Sequence, residues 1–161
     1  MEDILSLVRF LAGGYFIWSG STKLRSASTF WAQIMGYKIT TPRQARFLAA
    51  ILPQTEFLAG LFFAAGVFPF VGASLLLIML AMFTTALIIS LVKKMGNDCG
   101  CGPGANKVSP RLVVRNLILA SLVVAGAFAP ISDYPGKILI GIVALVIVAY
   151  SGVARYRSLG N

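Results

Sequence analysis

The sequence predicts an all-α integral membrane protein, a bundle of four to five transmembrane helices. Of its 161 residues, 58% are hydrophobic and 12% are charged, and the mean hydropathy of +0.85 is far above that of a water-soluble domain. From Phe57 to Val92 there is no charge at all; as helix this stretch would run roughly 54 Å, almost twice a hydrocarbon core ~30 Å thick. Sixteen glycines alongside eleven phenylalanines suit helices packed closely in lipid.

Charge-poor stretches near the ~20 residues a crossing needs occur, in order, at about Ile4 to Thr22, Phe47 to Val67, Phe70 to Val92, Arg111 to Ile131 and Lys137 to Ala154. The first contains Arg9, and its acidic start at Glu2 and Asp3, with no convincing small-x-small site after it, makes it a poor signal peptide, so it is expected to be retained. The second contains Pro53 and Glu56. The uncharged stretch must fold back between the second and third spans, at Gly66 to Gly72 around Pro69. The fifth span is the shortest, and lying in the interface is its alternative. Residues 93–110 form a loop between spans three and four, and the whole chain, 1–161, reads as a single helical domain. No internal repeat is visible, and with it goes the symmetry expected of a transporter.

Lys23, Arg25, Lys38, Arg43, Arg46, Lys93, Lys94, Lys107, Arg111, Arg155 and Arg157 fall on one side of this topology and Lys137 on the other, with Arg9 and Arg115 inside spans. Eleven against one places the N-terminus outside and the C-terminus and the 93–110 loop in the cytoplasm. The net charge of +9 therefore reads as topology and contact with anionic lipid headgroups; no basic face is interleaved with stacking aromatics, which excludes a nucleic-acid partner. Between Ser21 and Arg46 a basic stretch carrying Phe30, Trp31 and Tyr37 reads equally as a bent amphipathic element on the headgroups or as a loop with aromatic anchors. Gly60 with Ala64 and Ala125 with Ala129 are small-xxx-small pairs that permit close helix approach without naming a partner.

Histidine is absent, which excludes histidine-ligated haem, a histidine zinc site and a catalytic imidazole. The chemistry then centres on the only two cysteines, in Asn97-Asp98-Cys99-Gly100-Cys101-Gly102-Pro103-Gly104. Thiols at i and i+2 can close a small, strained and easily reduced ring, and Gly100 and Gly102 remove Cβ crowding around it. Lys93, Lys94 and Lys107 favour the thiolate while Asp98 opposes it. A labile, exchanging disulfide is the expectation; the alternatives are two small residues in a glycine turn, or two thiolates on a metal that this chain alone cannot complete, so no metal site is assigned. A cytoplasmic position requires the pair to cycle, rest reduced or bind metal.

The second constellation is ionic. Glu56 sits near mid-membrane, where a lone carboxylate is costly, and a bundle can bring it towards Arg9 or Arg115, whose planar guanidinium suits a buried carboxylate. Arg9, Glu56, Arg115 and the adjacent Asn116 thus form an expected polar cluster. It is either a structural ion pair or a pocket for a proton, a substrate thiol or a quinone headgroup, the quinone being the one cofactor considered. Arg111, at i−4 from Arg115, snorkels to the headgroups while Arg115 points inward. Lys23 reads as an interfacial anchor, and Pro53, one turn before Glu56, frees a carbonyl that kinks the helix or widens a cavity.

These elements in this order resemble the MauE family, membrane proteins of methylamine utilisation within a broader DoxX-like group. The resemblance runs from Arg9 to about Leu119: Arg9 before a Gly-aromatic stretch, Ser19-Gly20-x-x-Lys23-Leu24, Phe30 and Tyr37, Leu52-Pro53-x-x-Glu56, Cys99-Gly100-Cys101-Gly102, and Arg115-Asn116. Gly102-Pro103 stands here where the family usually has Phe-Gly. The resemblance implies a bacterial inner-membrane bundle whose Cys-x-Cys loop takes part in thiol-disulfide exchange with a thioredoxin-like partner, in the maturation of disulfide-bearing periplasmic enzymes. It implies an oxidoreductase acting through that partner; the competing readings are a non-catalytic subunit that assembles a larger complex and a quinone-linked membrane subunit.

Overall fold

The computed structural model describes residues 2–93, 109–130 and 137–159, with the backbone alone for 137–141 and 145. All regular structure among them is helical: α1 (Glu2–Arg25), α2 (Ala27–Gly36), α3 (Pro42–Ala65), α4 (Pro69–Val92), α5 (Pro110–Ala127) and α6 (Lys137–Ser158). Four of these, α1, α3, α4 and α5, are long and apolar enough to cross a membrane. The protein is a multi-pass helical membrane protein.

Helix starts and stops follow local chemistry. Each of α3, α4 and α5 begins with proline at its first position, where the missing N–H has no helical partner to lose. Thr41 and Gln44 close a reciprocal capping box before α3: the Gln44 N–H donates to Thr41 Oγ1 at 3.3 Å and the Thr41 N–H to Gln44 Oε1 at 2.9 Å. That box starts α3 five residues before the apolar stretch, with Arg43 and Arg46 inside the helix. At the other end Gly66 takes the left-handed conformation, φ 68°, which stops α3 and lets α4 turn back within three residues. The expected fold-back lies here.

The core is Ala12 and Phe16 of α1, Ala59 and Phe63 of α3, Ala73, Leu76 and Leu80 of α4, and Leu119, Val123 and Ala127 of α5. Small residues set the α1–α3 spacing. A Cβ on Gly13 would stand 2.6 Å from the Ala64 Cβ, and one on Gly20 would stand 2.8 Å from the Phe57 backbone nitrogen, so the helices meet backbone to backbone. Pro53 lies fully buried inside a continuous α3. Large apolar side chains such as Phe10, Ile78, Ile118 and Val146 face outward, all more than half exposed, the inside-out arrangement lipid permits.

In the stretch after α1, residues 27–36 form a helix, α2, in place of a loop. α2 buries Phe30 and Ile34 against Ala45 and Ala49 of α3. The antiparallel order gives the bundle two ends. One holds the start of α1, the Gly66 turn and the end of α5; the other holds Arg25, α2, the end of α4, the start of α5 and the end of α6.

Candidate functional site

Cys99 and Cys101, with Gly100 and Gly102, lie outside the described residues. Their segment leaves α4 after Val92 and rejoins the chain at Ser109, before α5, so both its attachments are at the α2 end of the bundle.

Beneath those attachments is a buried ion pair. Lys23 Nζ donates to Glu56 Oε2 at 2.5 Å, with the two side chains 7% and 3% exposed. The ammonium also stands over two aromatic faces, 4.7 Å from the Phe83 centroid and 5.6 Å from that of Phe30, where each ring's electron-rich face attracts a cation. Glu56 therefore pairs with Lys23 and with neither arginine, which corrects the expected cluster, and Lys23 is a buried partner instead of an interfacial anchor. The cause is register. Gly20 lies against Pro53 and Phe57; the helices run antiparallel, so Lys23 and Glu56 leave this contact in opposite directions, and each long side chain, leaning back towards its own helix N-terminus, reaches the other across it.

Arg9 is at the opposite end. Its side chain is buried, and Nη1 donates to the carbonyls of Pro130 at 2.7 Å and Ala129 at 3.4 Å. The guanidinium lies over Gly66, so closely that a Cβ there would stand 2.7 Å from Nη2. Gly66 caps α3 and Ala129 follows the end of α5, so two helix C-termini, each equivalent to roughly −0.5 charge, converge on one cation. Arg115 and Asn116 form neither of these pairs. Asn116 is buried and donates to Thr84 Oγ1 at 3.1 Å, while Arg115 is half-buried with Nε unbonded among the described residues; Arg111 is exposed, as expected.

A cavity of about 190 Å³ opens between α2, α3 and α4, lined by Phe30, Tyr37, Thr40, Leu52, Met82 and Phe83 among others. Phe30 and Phe83 are the rings under Lys23. The Thr40 hydroxyl is buried with no hydrogen-bond partner among the described residues.

The sequence model of the family described as methylamine utilisation protein MauE matches residues 1–129. The chain belongs to the MauE family. The match takes in α1 to α5 and the Cys99-x-Cys101 segment, and ends before α6. A similar curated protein is the methylamine utilization protein MauE of Paracoccus denitrificans, 25% identical over 146 residues, which are 89% of this chain and 78% of that one. No solved structure matches the chain.

Proposed function

We propose that this MauE-family chain serves methylamine utilisation from the bacterial cytoplasmic membrane by exchanging a disulfide with a thiol-bearing, thioredoxin-like partner during maturation of a disulfide-bearing enzyme. The observation that carries it is the chain's only two cysteines, one glycine apart, in a segment attached at both ends above the buried Lys23–Glu56 pair and inside the family match. In the exchange a thiolate attacks a disulfide sulfur, the mixed disulfide is resolved by the neighbouring thiolate, and the displaced sulfur leaves as thiolate. The pair that enters as disulfide leaves as dithiol, so the exchange balances without a further oxidant in either direction. The charge asymmetry supports the cytoplasmic side for this segment and the outside for the N-terminus.

The 190 Å³ cavity favours one further reading, in which a quinone headgroup reoxidises the dithiol, two electrons and two protons passing to give quinol. Its volume is below the ~300 Å³ of pockets for drug-sized ligands and suits a single ring, with the Thr40 hydroxyl free to donate to a carbonyl.

One experiment tests both. The Cys99→Ser/Cys101→Ser variant is expressed with the pathway intact, and the partner's thiols are counted by alkylation, with and without a short-chain quinone. The expected result is a changed thiol state in the double variant and a trapped mixed disulfide in the single variant that keeps the attacking cysteine and lacks the resolving one. An unchanged state removes the redox role and leaves an assembly subunit; a wild-type response indifferent to quinone removes only the second reading.

A further inference from the structure

We infer that the seam between α3 and α6 is a binding site for an anionic phospholipid, one acyl chain lying in the seam and the phosphate held at Arg46 and Arg157. The seam encloses about 450 Å³, and its walls are apolar, with Phe47 and Ile51 from α3 and Val148 and Val153 from α6, until Tyr156 and Arg157 at one end. It is open where the α1–α3 contact is shut: a Cβ on Gly152 would meet Ile51 Cγ1 at 3.6 Å, ordinary contact, against 2.6 Å for Gly13 on Ala64. Polar ties hold it in this form. Ser151 is hydrogen-bonded to Gln54, and Arg155 Nη1 donates to the Leu24 carbonyl at 2.5 Å, so α6 is fixed to α3 and α1 without being packed shut against them.

Length and charge select the occupant. From Val148 to Arg157 the wall rises about 14 Å, which is the hydrocarbon depth of one leaflet, half of ~30 Å. An acyl chain rooted at Arg157 would therefore end near the bilayer midplane. At the mouth, the Arg46 guanidinium lies 5.7 Å over the Tyr156 ring, with Nε buried and unbonded among the described residues. Neither Arg46 nor Arg157 meets a carboxylate within ion-pair distance among the described residues. Two cations without acidic neighbours among the described residues, above an apolar slot one leaflet deep, complement a phosphodiester with net negative charge better than a zwitterionic headgroup. The α6 wall, with Arg157, lies beyond the family match, which ends at residue 129, while Arg46, Phe47 and Ile51 lie within it; the site does not depend on the thiol reading.

The test uses the purified full chain in detergent with equal amounts of phosphatidylglycerol and phosphatidylcholine of identical acyl chains, and native mass spectrometry counts the lipid retained. Wild type should prefer phosphatidylglycerol on the order of tenfold, which is about 1.4 kcal/mol, because the two guanidinium groups at the mouth attract a headgroup with net negative charge. Arg46→Gln/Arg157→Gln should lose the preference while keeping its helical circular dichroism; Arg157→Gln alone, at an exposed position, should lower it without risk to the fold. Gly152→Leu, which fills the slot, should retain less of both lipids. Arg111→Gln, a cation on α5, should leave the preference unchanged. No preference in wild type, a preference surviving in Arg46→Gln/Arg157→Gln, or an equal loss in Arg111→Gln would each overturn the site.

Discussion

The two ends of α1 bury one cation each and neutralise it by different means. Lys23 has a carboxylate, Glu56, and two ring faces, Phe30 and Phe83. Arg9 has backbone: two carbonyls past the end of α5 and the capped end of α3. A compact ammonium presents a point charge that one carboxylate meets, whereas a planar guanidinium spreads its donors over several weak acceptors. The first solution consumes a second charged residue. The second uses two backbone carbonyls just past the end of α5 and the negative ends of helix dipoles, and consumes no charged residue.

The difference is largest when one member is removed. Glu56→Leu or Lys23→Met leaves a buried charge without its partner, and such a loss costs about 3–5 kcal/mol. Removing both, as Lys23→Met/Glu56→Leu, should recover most of it, because no charge is left to desolvate. Thermal unfolding of the four proteins in one detergent checks this, and a double variant no more stable than the singles would show that the pair is not energetically coupled. At the Arg9 end the supporting residue is a glycine. Gly66→Ala forces a side chain into φ 68° and places a Cβ 2.7 Å from Arg9 Nη2; left-handed backbone alone costs roughly 1–2 kcal/mol. The same unfolding measurement should show a loss of that order, smaller than that of either ion-pair single.

How much of this was legible in the sequence follows the same division. The first four crossings and the turn near Pro69 are written in length and charge, and the structure has four helices long and apolar enough to be them. Charge also misled: a search for uncharged stretches begins the second span at Phe47, while the Thr41 capping box begins α3 at Pro42. Glu56 was recognisable as a carboxylate needing a partner, yet arginine chemistry pointed to Arg9 and Arg115. The informative signal was the small residue one turn before each charge, Gly20 before Lys23 and Pro53 before Glu56: where these touch, two antiparallel helices leave the charges on either side of the contact, within reach of side chains that lean back across it. Arg9 was unreadable in principle, since its partners are carbonyls, and a carbonyl belongs to every residue. The ties of Ser151 to Gln54 and of Asn116 to Thr84 were likewise hidden, because a single hydroxyl or amide in an apolar helix announces no direction.

The smallest expected effect sharpens the comparison most. Arg9→Lys keeps the charge but replaces a fork of donors by an ammonium that can reach one carbonyl. If helix ends supply the neutralisation, their field acts on lysine as it acts on arginine, and only hydrogen-bond geometry is lost, on the order of 1 kcal/mol. The converse exchange at the other end, Lys23→Arg, meets a different limit, because the guanidinium must fit between Phe30 and Phe83 while turning an edge to Glu56. The prediction is therefore an asymmetry in unfolding temperature: Arg9→Lys close to wild type, Lys23→Arg clearly below it. Equal losses would mean that Arg9 depends on a specific partner as strictly as Lys23 does, and the division between a side-chain solution and a backbone solution would no longer hold.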